Sequence, residues 1–331
     1  MKVLLFIFSL FSRLVCFIKN LFYERGILKP HRAPLRVVSV GSIALGGTEK
    51  TPLAMELLTF LKGKGFHPAL VTRGYGGRWE KEGGVLSDGK KLMGQWTDSG
   101  DEPWMVARNI PQAGIFVGRD RLTSCGRAIR SGFDIGVLDD GFQYRKLGRD
   151  VDIVLYDPRE KVSLREPYSA LRRAQIILIK KGRAIPAGLV EKAASLGQKV
   201  FRYAVTDRGF FDLKSQAKIP QENMRGKKVL AFSGIANPER FVSLLQATGV
   251  EIIGRLKFAD HFKYPDSSLK KIRSAARESR ADVAITTEKD AVKLAARPNP
   301  LGDTPVLYLK VGLELDREFY PALESYLGMK S

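Results

Sequence analysis

"RVVSVGSIALGGTEKTPLAMELLTFLKGKG", residues 36–65, holds the reading on which the fold turns. Residues 36–41 form an apolar, β-branched run, which predicts a buried strand. Gly46 and Gly47 make the turn after it flexible. Lys50-Thr51 then open an amphipathic stretch that ends at Gly63 and Gly65, and Pro52 suits its first helical turn, where no N–H is needed. Strand, glycine turn and helix is the setting of a phosphate loop: N–H groups at a helix N-terminus, a lysine and a hydroxyl converge on phosphate. The strict pattern G-x-x-x-x-G-K-[ST] nevertheless fails twice, at Ala44 and at Glu49. A carboxylate beside a triphosphate repels it unless the side chain swings outward. By itself the loop therefore fits a plain connection as well as a nucleotide site.

The remainder repeats the alternation. "PALVTR" (68–73), "AGIFVG" (113–118), "DIGVLDD" (134–140), "VDIVLYD" (151–157) and "QIILIK" (175–180) are short apolar strand candidates, with helical segments such as 119–131 and 165–173 between them. Such runs predict an α/β fold of the P-loop NTPase type, its mainly parallel sheet flanked by helices. A second series starts near residue 199 with "KVFRYAV" and "KVLAFSGI", helices at 237–248 and 266–278, and strands at "VEIIGRLKF", "ADVAITTEKD" and "PVLYLKV". The boundary falls near 200–207. The expected division is an N-terminal helix over 1–25, a P-loop domain over 26–203 and a smaller α/β domain over 204–331. Residues 76–103, Gly-rich and polar with a turn at "SDGK", could form a mobile flap.

Charge and the N-terminus bear on partners. The chain has 331 residues and a formal net charge of +20, which fits an acidic partner (nucleic acid, anionic lipid or a phosphorylated substrate) or solubility alone, and charge does not choose among these. Its two cysteines, Cys16 and Cys125, fit neither a disulfide framework nor a metal site. "KVLLFIFSLFSRLVCFIKNLFY" is strongly apolar, but Arg13 and Lys19 interrupt it. Lys2, Ser9, Arg13, Cys16 and Asn20 form a narrow polar stripe at helical spacing. A helix lying in a membrane interface is expected, assisted by Arg25, Lys29, Arg32 and Arg36. A signal peptide is disfavoured because no small-x-small site follows. A helix packed on its own domain is the competing reading.

Several polar groups could carry chemistry. Asp139 and Asp140 end an apolar strand, where a P-loop enzyme holds magnesium; a surface Asp-Asp-Gly turn is the alternative. "SGDEP" (99–103) offers Asp101 and Glu102 on a loop before a helix, or as a helix cap. "GRDR" offers Arg119 and Arg121, and "LREP" offers Arg165 and Glu166. His261, in "FADHFKYP", is one of three histidines.

In this order these stretches resemble the tetraacyldisaccharide 4′-kinase family. "SVGSIALGGTEKTPLA", "LVTRGYGG", "SGDEP", "VLDDGFQYRKLGRDVDIVLYD", "LREPYSALRRA", "AFSGIANPERF", "FADHFKYP" and "TTEKDAVKL" carry the resemblance across residues 36–293. It implies a membrane-associated kinase at the cytoplasmic face of the bacterial inner membrane, moving the γ-phosphate of ATP to the 4′-hydroxyl of a lipid A disaccharide 1-phosphate. It further implies ATP and Mg2+, contact with anionic lipid, no nucleic acid and no obligate protein partner. By motif, Gly46, Gly47, Thr48, Lys50 and Thr51 would bind the nucleotide. Thr51, Asp139 and Asp140 would hold the metal, Arg121 or Arg119 a phosphate, and Tyr75 and Gln143 would line the site. Asp101 would be the general base, with His261 from the second domain tuning it, so that catalysis would depend on domain closure. Departures from the family pattern are Glu49 for glycine, Ser42 for asparagine, "DHF" for "DHH", and Lys180-Lys181 after a strand. The competing functions are a phosphotransferase or NTPase with a soluble substrate, and a non-catalytic membrane-associated relative disabled by Glu49.

Overall fold

The computed structural model describes residues 15–44, 46, 49–159 and 164–329. They group into two compact units. The first runs to Ser99, resumes over Val106–Ala204 and takes the chain from Leu313 onward; the second comprises Gly100–Met105 and Val205–Gly312.

In the first unit the strand Arg36–Ser42 lies between Ile135–Leu138 and Val151–Tyr156, parallel to both. Parallel pairing continues from Ile135–Leu138 through Pro68–Thr72 to Gly114–Val117. On the other side it continues from Val151–Tyr156 through Ile176–Lys180 to the start of Lys199–Asp212. The central strands are buried along almost their whole length, as helices on both faces require. The helix Lys50–Gly63 buries Leu53, Ala54, Leu57, Leu58 and Leu61, one continuous apolar face.

In the second unit Glu251–Lys257, Lys228–Ser233, Val283–Thr287 and Val306–Leu315 pair in parallel in that order. Lys228–Ser233 alternates between two apolar clusters. Val229 and Ala231 meet Phe241 and Leu245 of the helix Pro238–Ala247. Leu230 and Phe232 meet Leu269, Ile272 and Ala276 of the helix Asp266–Glu278.

Some sequence expectations differ from this arrangement. The last helix, Phe319–Tyr326, groups with the first unit and not with a 204–331 domain, because Tyr320 stacks on Phe60 at 4.5 Å and the Tyr326 hydroxyl donates to the Gly197 carbonyl. Residues 76–103, expected as a flap, carry regular structure. They contain helices Trp79–Glu82 and Trp96–Ser99 and an edge strand, Gly84–Asp88, antiparallel to Gly114–Val117. Around "LREP" the expected helix is a short 3-10 turn, Tyr168–Arg173. "TEKDAVKL" forms the helix Glu288–Leu294, capped by Thr287, and does not extend the strand before it. No helix of the described residues is long and apolar enough to cross a membrane.

Candidate active site

Parallel pairing places the acidic pair beside the phosphate loop. Ser39 stands opposite Leu138, so Asp139 and Asp140 leave the sheet alongside the end of the loop strand. The Gly141 N–H donates to the Val40 carbonyl at 2.9 Å. A β-carbon at Gly41 would lie 2.4 Å from that of Phe142, so glycine permits the close approach of the two segments. Lys50 Nζ is 2.7 Å from Asp140 Oδ1, and Arg165 Nη1 donates to Asp140 Oδ2 at 2.8 Å. The Thr51 hydroxyl donates to Asp139 Oδ2 at 3.4 Å. Burial raises the pKa of Asp140, but the charges of Lys50 and Arg165 outweigh it and hold the carboxyl well below the usual range.

Glu49 adopts the left-handed conformation, φ 53° and ψ 25°. A residue with a β-carbon is strained there by about 1–2 kcal/mol, which is the physical reason glycine is favoured at such a position. The side chain is occupied elsewhere: the hydroxyl of Tyr203 donates to Glu49 Oε2 at 2.8 Å. Tyr203 is buried on the strand Lys199–Asp212. Gly46 has φ 101°, another glycine conformation, while Gly47 and Thr48 lie outside the described residues.

The remaining expected phosphate contacts are placed differently. Arg121 is buried at the start of the helix Arg121–Arg130, its guanidinium 4.9 Å over the ring of Tyr144. Burial lowers its pKa, opposed by the negative charges of Asp140 and Asp139. Arg119 is exposed and its guanidinium reaches Glu80 at 3.6 Å. Tyr75 is 60% exposed on the turn after Pro68–Thr72. The Gln143 amide donates to the Ser42 carbonyl and to Glu166 Oε1, both at 2.9 Å, which makes it a brace between the loop strand and Glu166.

That brace continues into the N-terminal helix, described over 15–24. Lys19 Nζ donates to the Gln143 carbonyl at 3.2 Å, and the Asn20 amide to Glu166 Oε2 at 2.6 Å. Arg173 Nη2 donates to the same oxygen at 2.7 Å, and Glu166 is 1% exposed. Tyr23 lies 4.8 Å beneath the Arg145 guanidinium. The helix thus turns its polar side toward its own unit. Val15, Phe17, Ile18 and Phe22 are exposed, as are Ile27 and Leu28 just beyond. This is the reverse of ordinary globular amphipathicity.

The second unit gathers a different group. Asp101 and Glu102 sit in the first turn of the helix Asp101–Asn109, not on a preceding loop. His261 Nδ1 lies 3.2 and 3.1 Å from the two oxygens of Asp101. An ionised carboxylate only accepts, so Nδ1 carries the hydrogen, and Nε2, 3.2 Å from Lys289 Nζ, accepts from that ammonium. Lys289 also pairs with Glu102 at 2.9 Å and Asp260 at 3.3 Å. Lys293 Nζ is 3.3 Å from Asp101 Oδ2. Burial raises the Asp101 pKa, but His261, Lys289 and Lys293 together bring it down to about 2. Burial alone would lower the His261 pKa; the Asp101 carboxylate reverses this and raises it. His261 itself has φ 59°, a strained conformation of the kind that clusters at functional sites.

The family model for tetraacyldisaccharide-1-P 4′-kinase matches residues 1–328. The chain belongs to the tetraacyldisaccharide 4′-kinase family. It is 37% identical over 314 residues to the tetraacyldisaccharide 4′-kinase of Syntrophus aciditrophicus (strain SB), covering 88% of this chain and 84% of that one. With the Desulfatibacillum aliphaticivorans protein of the same name it shares 34% over 337 residues, covering 96% and 91%. The crystal structure of the "apo" form of LpxK from Aquifex aeolicus in complex with ATP superposes with a TM-score of 0.77 at 25% identity, over 99% of both chains.

Three departures from the 4′-kinase pattern have local explanations. Ser42 Oγ accepts the Ala44 N–H at 3.0 Å, bracing the start of the loop. Phe262, in place of histidine, stacks on Phe258 at 4.8 Å and meets the Tyr264 ring edge-on at 5.3 Å. Lys181 pairs with Glu314 at 2.9 Å. Sequence reasoning missed Tyr203, Lys289, Asp290 and Lys293 altogether. The "TEKDAVK" motif was the available signal for the last three, since it puts charged residues on a short helix after a buried strand.

Proposed function

We propose that this protein transfers the γ-phosphate of ATP to the 4′-hydroxyl of a tetraacyl disaccharide 1-phosphate in lipid A biosynthesis, working at the cytoplasmic surface of the inner membrane. The pairing of Lys50 with Asp140 and of Thr51 with Asp139, at neighbouring strand ends in a chain of this family, carries the reading. Lys50 and Arg165 can exchange a carboxylate partner for phosphate oxygens, because Asp140 and both cations remain partly open to solvent. Arg121 adds positive charge beside the acidic pair, and Glu49 is drawn off by Tyr203. In phosphoryl transfer such positioning and neutralisation do most of the work.

A hydroxyl and a carboxylate within 3.4 Å form a hard oxygen donor set that suits Mg2+. Thr51 and Asp139 would hold the ion, with Asp140 as the further carboxylate. Bound magnesium would neutralise phosphate charge. Asp101 takes the proton of the attacking hydroxyl as that oxygen bonds to phosphorus, while the His261 Nδ1–H donated to the same carboxylate fixes its orientation. The exposed side chains of Val15, Phe17, Ile18 and Phe22 enter the acyl boundary, while the basic residues that follow meet anionic lipid.

Purified protein supplied with ATP, Mg2+ and the disaccharide 1-phosphate in mixed micelles should form the 1,4′-bisphosphate. A product phosphorylated elsewhere, or ATP hydrolysis without a lipid product, would reject the reading.

A further inference from the structure

The second unit contains a buried chain of charges to which the transfer scheme assigns no role. Lys293 is 2% exposed on the helix Glu288–Leu294. Its Nζ lies 3.0 Å from Asp290 Oδ1 and 3.3 Å from Asp101 Oδ2. Asp290 is fully buried, and its other oxygen accepts the Gly234 N–H and the Thr287 hydroxyl, both at 2.8 Å. The Tyr264 ring lies 5.7 Å from the Lys293 ammonium. A β-carbon at Gly234 would stand 3.0 Å from both the Ala259 carbonyl and Phe262 Cβ, and 3.2 Å from Asp290 Oδ1, so this crossing is built for glycine. "GIANP", "DHFKYP" and "TEKDAVK" therefore meet at one buried lysine.

Burying an ammonium is costly unless it is paired, and one carboxylate is enough to neutralise it. Asp290 already supplies that carboxylate. The reach of the same ammonium to a second carboxylate, on a helix far away in sequence, needs a different explanation. Asp101 Oδ1 accepts the Glu102 N–H at 3.0 Å and faces His261, while Oδ2 faces His261 and Lys293. Both oxygens are thus held, and Oδ2 is shared between Lys293 and His261.

We propose that Lys293, anchored by Asp290, is a positioning residue that sets the orientation of the Asp101 carboxylate toward His261. This rests on reading Asp101 as the acid–base group. The charged groups around Asp101 are His261, Lys289 and Lys293, with the Glu102, Asp260 and Asp290 carboxylates paired to those lysines. Removing Lys293 takes away one of two lysine ammoniums near Asp101 and one of the contacts that fix Oδ2.

The test is steady-state kinetics against pH on the full chain, with Lys293→Met, Asp101→Asn and the double variant, each checked for folding by circular dichroism. Misplacing a catalytic group costs up to about 100-fold, so Lys293→Met should lower kcat by about 10- to 100-fold and leave the KM for ATP within ~2-fold. The acid limb of kcat/KM should move to higher pH. The double variant should be no slower than Asp101→Asn alone, because both act through one carboxylate. A folded Lys293→Met protein with the original kcat and pH profile, or losses that multiply in the double variant, would overturn the proposal. The underlying reading fails separately if Asp101→Asn keeps the original kcat. Should Lys293→Met not fold, Asp290→Asn keeps the volume and releases the anchor. It should lower kcat severalfold at unchanged ATP KM, again without multiplying the Asp101→Asn loss; multiplied losses overturn the proposal there too.

Discussion

The acidic pair of the first unit and the acid–base cluster of the second solve opposite problems with similar groups. Asp140 and Asp101 are both carboxylates held in the ionised state by nearby cations. Asp140 is 34% exposed in its side chain and Asp101 only 5%. An open carboxylate paired with a lysine and an arginine can trade those partners for phosphate and metal. A buried one, gripped by a histidine and a lysine, keeps its partners. The first arrangement suits a site that loads and unloads a charged ligand; the second suits a group that must hold one orientation while a proton moves. Neighbouring strand ends suffice for the first, whereas the second has to be assembled from stretches well separated along the chain.

Breaking the first region should have the largest effect. Lys50→Ala removes the ammonium that pairs with Asp140 and, on the proposed reading, would bind the phosphates. Product formation should drop by a factor of 10³ or more, the scale on which charge-stabilising groups act in phosphoryl transfer, and Mg-ATP binding should weaken with it. Activity within tenfold of the original would move the nucleotide site elsewhere. Next comes the second region. Asp101→Ala should lower kcat by about 10² or more with little change in ATP affinity, and His261→Ala should do the same less severely. If either variant instead weakened ATP binding and spared kcat, the division of labour between the two regions would be wrong.

A smaller effect is expected at the outward face of the N-terminal helix. Each phenylalanine moved from an interface into water loses about 1.5–3 kcal/mol of burial. Phe17→Asp with Phe22→Asp should therefore release the protein from phosphatidylglycerol vesicles in a flotation assay and raise the KM for lipid more than for ATP. Retention on vesicles at high salt would reject this face as the contact.

The contrast also explains what the sequence disclosed. The loop, the helix from Lys50 and the carboxylates at 139–140 were legible because each lies at the end of an apolar run, and strand periodicity alone places such residues at an edge. The Asp101–His261 contact joins residues 160 apart in sequence, a closure no local pattern encodes. Lys293 was less legible still: a lysine in a short helix reads as solvated, and only the fold makes it buried. The helices and strand within residues 76–103 were not legible because their glycines read as turn residues, whereas Gly84 and Gly94 are small to let the Trp79 ring pack against them. The outward apolar face of the first helix was half legible. Periodicity gave the stripe, but only contacts from Lys19 and Asn20 identified the polar side as the inward one.

The smallest effect is the most informative, because it concerns the residue that stands directly before the phosphate-loop lysine, where the pattern has glycine. Glu49→Gly relieves about 1–2 kcal/mol of left-handed strain and removes a hydrogen bond worth about 0.5–1.5 kcal/mol, so the two nearly cancel. With the carboxylate already held by Tyr203, its loss should hardly alter the field at the phosphates. The decisive measurement is calorimetric titration of Mg-ATP into the original chain and Glu49→Gly, with Lys50→Ala as the blank. Clear binding by the original chain, changed by less than about fivefold in Glu49→Gly, is the expected result, since fivefold corresponds to about 1 kcal/mol. No binding by the original chain, restored in Glu49→Gly, would contradict the account and mark the loop as disabled.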